Sequence, residues 1–254
     1  MSSLFTAILY KPIFNLFVGL YNLLPGHDVG LVILIITLLV RLLLYPLTTS
    51  MTKAQKAMQE LQPKLDDIKK TYADDKQKQS QAIMELYKNN KVNPFASCLP
   101  MVVQIIILIA LWKVLMAGLA SQNLAEMLYP FVQNPGRINP ISFGLFDLSK
   151  PNIILAILAG AAQFWQAKMM SRQQPPRQAG AGGKDENMMA MMNKQMLYMM
   201  PILTVIFGIS LPAGLTLYWF FSTLLMGFQQ MYLFRKRNGG DGGVVEGKVV
   251  EEKK

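Results

Sequence analysis

The chain has 254 residues, of which 52% are hydrophobic, and its mean hydropathy is +0.28. This composition is too apolar for an ordinary soluble domain and is typical of a protein with several transmembrane helices. The net charge of +10 comes without a compact basic module with interleaved aromatics, so we assign it to membrane topology rather than to nucleic-acid binding.

The N-terminal segment, residues 1–28, predicts an extracytoplasmic helix that lies in the membrane interface and does not span it. Pro12 interrupts its apolar pattern, and Asn15 and Asn22 add polar groups. A signal peptide is the alternative, but a basic n-region and a small-residue cleavage site are absent in their usual form. Large apolar side chains recur at helical spacing: Phe14, Phe17, Leu20, Tyr21 and Leu24.

Residues 29–48, VGLVILIITLLVRLLLYPLT, predict the first transmembrane helix, with Arg41 as its one charged residue. A charged side chain near the bilayer centre costs roughly 2.5–3.5 kcal/mol on insertion scales, so it usually faces protein or water. Snorkelling of Arg41 to the interface is the alternative. A functional role is favoured because Thr37, Tyr45 and Thr48 are spaced to share one helical face with Arg41.

Residues 49–96 contain nine Lys/Arg and six Asp/Glu and predict two antiparallel helices that form a cytoplasmic hairpin. The turn is predicted at residues 72–75, where Asp74 or Asp75 can cap the second helix. We expect this charged hairpin to contact a partner. A solvated hairpin without a partner is the alternative.

Four more spans are predicted after the hairpin, because apolar runs of about 20 residues are long enough to cross a bilayer. Gln104 interrupts the first of these runs, and Gln163 and Gln166 interrupt the next. The predicted elements are a second span at 97–117, an extracytoplasmic loop at 118–150, a third span at 152–170, a cytoplasmic loop at 171–193, a fourth span at 194–211, a fifth span at 215–234 and a basic tail at 235–254 that is expected to be disordered.

The distribution of charge predicts the orientation of these spans. With Arg41 set aside, twenty Lys/Arg fall in the hairpin, in residues 168–195 and in the tail, whereas four fall in the remaining segments. Positive charge accumulates on the cytoplasmic side of membrane proteins. We therefore expect the N-terminus outside and the C-terminus in the cytoplasm, which agrees with five spans.

Catalysis is not expected from this sequence. Activation of a serine nucleophile needs a base, but the single histidine, His27, lies in a turn. One histidine and one cysteine, Cys98, leave no zinc or redox constellation within the chain. A P-loop, a GxGxxG motif and an acidic pair within a span are also absent. We expect a protein that is not an enzyme and that uses no metal or cofactor.

Polar side chains from four predicted spans form the candidate site. If the spans close around them, a cation in a wet, low-dielectric concavity would attract a polar or acidic peptide segment. The alternative is that the glutamines and threonines only hydrogen-bond neighbouring helices, which contributes about 0.6–2 kcal/mol each. The candidate residues are Arg41, Thr37, Gln104, Gln163, Gln166, Thr216, Trp219 and Thr223.

Several strings resemble the YidC/Oxa/Alb family of membrane protein insertases, in order and at family spacing. They are VRLLLYPLT (40–48), the run from KAQKAM to LWKVL (53–115), WQAKMM (165–170), NKQMLYMMPI (193–202) and LPAGLTLYWFFSTLLMGFQQ (211–230). The resemblance implies a five-span core, an interfacial N-terminal helix, a cytoplasmic hairpin and a hydrophilic groove open to cytoplasm and lipid. A large extracytoplasmic domain and a lipoprotein-type cysteine near Met1 are missing, so a minimal core is expected.

The resemblance also implies roles for individual residues. Arg41 matches the groove arginine and Trp219 a groove aromatic of the fifth span. Gln166 is the better match to the third-span glutamine, with Gln163 as the alternative. The implied function is insertion and folding of proteins in the bacterial cell membrane without nucleotide hydrolysis.

The partners implied are nascent membrane proteins, membrane lipids and the ribosome, whose RNA phosphates the hairpin and basic tail would contact. A partnership with the Sec translocon is left open. A small-solute transporter is an alternative function, but such proteins often contain an internal repeat with paired broken helices, and none is evident here. A passive assembly scaffold is a further alternative, which would leave Arg41 unexplained.

Overall fold

A computed structural model describes residues 5–93, 99–120, 124–172 and 197–238, and these are mostly helical, as predicted. A π-helical turn, Thr6–Tyr10, continues directly into the first α-helix. The helices are α1 (Lys11–Leu23), α2 (Val29–Leu43), α3 (Tyr45–Glu60), α4 (Gln62–Thr71), α5 (Lys76–Asn89), α6 (Leu99–Ala120), α7 (Leu124–Met127), α8 (Ile153–Arg172), α9 (described over Leu197–Gly208) and α10 (Ala213–Asn238).

Two described helices are long and apolar enough to cross a membrane by themselves. Their apolar windows are Val102–Leu119 in α6 and Ile153–Met170 in α8. The pair α2 and α3 passes the same test together but is bent by 65°. The 26-residue α10 is less apolar because it contains the polar residues of the candidate site. Among the described residues, two or three spans are therefore supported by length and composition, and five remains a prediction.

The first predicted span is not one continuous helix, which corrects the prediction of a shared face for Thr37, Arg41, Tyr45 and Thr48. The break lies at Leu44, whose φ and ψ are −86° and 0°. Pro46 follows in the first turn of α3, where its ring nitrogen cannot donate to the preceding turn. Tyr45 and Thr48 therefore belong to a helix turned by 65° from α2, and Tyr45 is 42% exposed.

The core forms where α1 packs against α2 and α6. Phe14 and Phe17 of α1 are fully buried together with Ile33 of α2 and Leu111 of α6. The helical spacing of apolar residues in 14–24 thus corresponds to a buried face of α1. Whether α1 also lies in the membrane interface stays a prediction.

The predicted loop at 118–150 is more ordered than expected. α6 extends to Ala120, and an antiparallel pair, β1 (Ile141–Ser142) and β2 (Phe146–Asp147), follows α7 with Ile141 opposite Asp147. Asp28, which caps α2 by accepting from the Gly30 and Leu31 amides, also accepts from the Ser142 hydroxyl and the Phe143 amide. One carboxylate therefore joins the start of α2 to the β-hairpin.

The charged segment that follows the break contains three helices, although two were predicted. The first predicted arm is divided at Leu61, and Pro63 lies in the first turn of α4. The predicted cap is confirmed for Asp75, whose side chain accepts from the Lys78 amide at 3.0 Å. α4 and α5 contact each other across residues 72–75, and the Gln79 side chain donates to the Lys69 carbonyl.

Close packing through glycine holds α8, α9 and α10 together. A Cβ at Gly160 would collide with Val205, one at Gly208 with Ala156, and one at Gly227 with the Trp165 ring. Small residues at helix interfaces allow such approach in membranes. The predictions for Cys98, for the cytoplasmic loop beyond residue 172 and for the tail beyond residue 238 lie outside the described residues.

Candidate functional site

Arg41 lies at the centre of a cluster built by α2, α6 and α10. Its Nε and Nη2 donate to the Ser222 Oγ at 3.1 and 2.5 Å, and Nη2 also donates to the Gln104 Oε1 at 3.0 Å. Arg41 is in the last turn of α2, where the carbonyl end of the helix favours a cation. Residues separated by 63 and 181 positions in sequence are thereby brought to one guanidinium.

The partners of Arg41 are held in place by a further bond. The Gln104 Nε2 donates to the Tyr218 hydroxyl at 3.1 Å, so the amide oxygen of Gln104 is turned toward Arg41. Tyr218 and Ser222 are one turn apart on α10 and are 2% and 0% exposed. The geometry of the cluster is therefore fixed by packing as well as by hydrogen bonds.

The cluster solvates a cation without neutralising it. The oxygens that bond Arg41 are neutral, and Arg41 is in none of the ion pairs identified among the described residues, such as Lys69–Asp66, Lys78–Asp75 and Lys150–Asp147. A guanidinium has five donors. Among the described residues we find no acceptor on Nη1, and the half-buried Arg41 retains part of its surface accessible. An incoming anion could bind there.

A second polar layer lies closer to the cytoplasmic end predicted for α10. Gln229 donates to the hydroxyls of Thr48 and Thr49 at 2.9 and 3.2 Å, which connects α10 to the start of α3. Its neighbour Gln230, 3% exposed, accepts from the Gln166 side chain at 3.0 Å, which connects α10 to α8. Adjacent residues of α10 thus bind two different helices.

The other predicted site residues have separate environments. Thr37 is fully buried and donates to the Ile33 carbonyl at 2.6 Å, and Thr216 is 2% exposed and donates to the Gly208 carbonyl at 3.3 Å. The Thr216 bond joins α10 to α9 and agrees with the helix-packing alternative, whereas the Thr37 bond lies within α2. Trp219 and Gln163 are half-buried and Thr223 is 5% exposed. Their roles in a groove stay predictions.

Sequence reasoning missed Tyr218 and Ser222. It selected the face of α10 with Thr216, Trp219 and Thr223, which lies about 110° around the helix from the face that meets Arg41, at about 100° per residue. The sequence signal for this face was a pair of hydroxyl side chains at i and i+4. That spacing could not show how α10 is rotated about its axis.

A family comparison agrees with the geometry. The model of the family described as 60Kd inner membrane protein matches residues 19–239, which include Arg41, Gln104, Tyr218 and Ser222. The chain belongs to this family.

Members of the 60Kd inner membrane protein family with similar sequences are named "Membrane protein insertase YidC". The protein from Fusobacterium nucleatum is 35% identical over 207 residues, 82% of this chain and 86% of that protein. The protein from Oceanobacillus iheyensis is 38% identical over 219 residues, 85% of this chain and 76% of that protein. The resemblance to the YidC/Oxa/Alb family is thereby confirmed.

Other relatives in the 60Kd inner membrane protein family are much longer. The protein of the same name from Magnetococcus marinus is 34% identical over 212 residues, which are 83% of this chain and 33% of that protein. The chain thus spans about a third of such relatives. Its bacterial relatives and its apolar α6 and α8 support a multi-pass protein of the bacterial inner membrane.

Proposed function

We propose that the chain is a membrane protein insertase and chaperone that inserts integral membrane proteins through a hydrophilic groove open to cytoplasm and lipid. Its family membership and the names of its relatives support this function. The observation on which the mechanism depends is the Arg41 cation, which has neutral partners in Gln104 and Ser222 and, within the described residues, no acceptor on Nη1.

Electrostatics explains how this cluster would act. A carboxylate at 4 Å from a guanidinium gains about 4 kcal/mol at an effective dielectric constant of about 20. The hydrophilic end of a client segment is costly to desolvate, and this attraction offsets part of the cost. Because Arg41 has no carboxylate partner among the described residues, the client's anion need not displace one.

Insertion in this scheme requires no nucleotide. Burial of an apolar client helix in lipid releases about 25 cal/mol per Å², and the membrane potential acts on charged tails with about 2.3 kcal/mol per charge per 100 mV. The sequence contains no P-loop that would bind a nucleoside triphosphate. The protein provides a path and the client provides the driving force.

The proposed topology has five spans, with the N-terminus outside and the C-terminus in the cytoplasm. The first span is formed by α2 and the start of α3, and the others by α6, α8, α9 and α10. At 1.5 Å per residue the 26-residue α10 is about 39 Å long, which exceeds the hydrocarbon core of about 30 Å. Segment 49–96 would then be cytoplasmic, where it can receive clients.

The proposed partners follow from this placement. They are nascent membrane proteins, membrane lipids and the ribosome, whose RNA phosphates would contact the hairpin and the basic tail at 235–254. Lys and Arg contacts to phosphate are sensitive to salt. Ribosome binding that falls steeply with salt would support the tail assignment.

Reconstitution tests the function. The full chain is placed in vesicles without other proteins or ATP, and a client with a short acidic N-terminal tail is scored by protease protection. We expect insertion, and a loss of about tenfold for Arg41→Ala, with Arg137→Ala as the control because Arg137 is an exposed cation. Equal insertion by Arg41→Ala for several acidic clients would refute the arginine-centred mechanism. Crosslinking of the client to Trp219 separates an insertase from a passive scaffold.

A further inference from the structure

A groove between α1 and residues 129–133 is not used by the proposed insertion path. We propose that it binds one anionic phospholipid, with an acyl chain along the groove and the phosphate at Lys11. The inference rests on the membrane location of the chain and does not depend on insertase activity.

The dimensions of the groove suit an acyl chain. Its volume is about 630 Å³, within the range of about 300–1,000 Å³ that is usual for small-molecule sites. On α1 the lining runs from Pro12 to Leu23, a length of about 16 Å at 1.5 Å per residue. An acyl chain that reaches across one leaflet of a hydrocarbon core of about 30 Å is about 15 Å long, which matches the length of the groove.

Hydrogen bonds from two asparagine side chains hold the walls of the groove together without any ligand. At one end the Asn15 side chain donates to the Met127 carbonyl at 3.0 Å and accepts from the Tyr129 amide at 2.6 Å. At the other end the Asn22 side chain donates to the Gln133 carbonyl at 2.7 Å. These bonds use the side-chain nitrogen and oxygen of Asn15 and the side-chain nitrogen of Asn22, and leave few polar partners for a ligand. A hydrocarbon chain needs none.

Gly19 leaves space at the floor of the groove. A glycine inside a helix is unfavourable relative to alanine, so a packing contact usually explains it. No such contact exists within the described part of the chain, because a Cβ built at Gly19 would meet none of its heavy atoms within 4 Å. The volume that a side chain would occupy belongs to the groove instead.

A cation and two aromatic rings lie at the rim. The Lys11 ammonium is 5.3 Å from the centroid of the Tyr129 ring, and Tyr129 stacks on Phe131 at 5.4 Å. Phe131 is 81% exposed, and Lys11 takes part in none of the ion pairs found among the described residues. One cation beside an apolar groove is complementary to a ligand with one anionic end and a long apolar chain.

The test is photocrosslinking of lipid to the full chain in nanodiscs of phosphatidylcholine and phosphatidylglycerol, with a photoactivatable acyl chain on either lipid. Gly19→Leu fills the groove and Lys11→Gln removes the cation. The controls are Ala161→Leu, at an exposed position of α8, and Arg137→Gln, at an exposed cation. Leu16→Trp is a second filling variant, and circular dichroism verifies that each variant is folded.

We expect the phosphatidylglycerol probe to label residues 129–133, with a loss of at least tenfold for both filling variants. Lys11→Gln should lower labelling about fivefold, and the control variants should leave labelling unchanged. Equal labelling by the phosphatidylcholine probe, undiminished labelling in the folded filling variants, or displacement of the lipid by a client peptide would each overturn the proposal. Insertion activity is scored separately, so a failure here is distinguishable from failure of the proposed function.

Discussion

Ser222 can be tested as the principal neutral partner of Arg41. Ser222→Ala removes the oxygen that accepts from both Nε and Nη2, and leaves Gln104 as the remaining acceptor. A hydrogen bond to a charged group contributes about 1.5–3 kcal/mol. Because both contacts share one oxygen at a fully buried serine, we count them as one bond. The expected loss of unfolding free energy is about 2 kcal/mol.

The assay is a double-mutant cycle with Arg41→Met, in which the free energy of unfolding is measured in mixed detergent micelles. Once Arg41 is replaced, Ser222→Ala should cost much less, which gives a coupling energy of at least 1 kcal/mol. Ser210→Ala is the matched control, because that serine is exposed just after α9 and its hydroxyl donates to the nearby Ile206 carbonyl. Additivity within about 0.5 kcal/mol would refute the bond between Ser222 and Arg41.

Three further perturbations test other contacts. Gly227→Ala should cost about 1–3 kcal/mol of unfolding free energy because the added methyl group collides with Trp165, and a matching shift in tryptophan fluorescence is expected. Gln229→Leu should release the start of α3 from α10, so amide exchange at residues 45–60 should accelerate while that of α8 stays unchanged. Burial raises the pKa of Asp28, but the bonds from Ser142, Phe143, Leu31 and Gly30 hold it below its usual value overall. This stabilisation is therefore complete above about pH 4 and is lost as the pH falls through the lowered pKa; Asp28→Asn should flatten that acid limb of the unfolding curve.

The long apolar helices could be predicted from the sequence with good bounds. The third predicted span, 152–170, compares with α8 at Ile153–Arg172, and the second, 97–117, with α6 at Leu99–Ala120. Such runs need no tertiary information, because a lipid environment forces the backbone to satisfy its own hydrogen bonds. The break at Leu44 was missed, although Pro46 signals it, because the apolar run continues across the bend.

The candidate site was predicted in part. Arg41 and Gln104 could be found because a charge and an amide are conspicuous within apolar runs, and the structure brings them into contact. Ser222 could not, because its role depends on the rotation of α10, which is determined by Gly227 packing on Trp165 and by other long-range contacts. Local spacing shows which residues share a face but not which neighbour that face meets.

The carboxylate of Asp28, which joins the β-hairpin to α2, would also set how deep Arg41 lies in the membrane. Asp28 is 13 residues before Arg41, a rise of about 20 Å along the helix. With the proposed orientation and a hydrocarbon core of about 30 Å, the cation would be held about 10 Å from the cytoplasmic surface. In that orientation the β-hairpin would lie outside the membrane and oppose inward sliding of α2. A client's polar tail would meet the cation in the inner leaflet, before it has crossed half of the membrane.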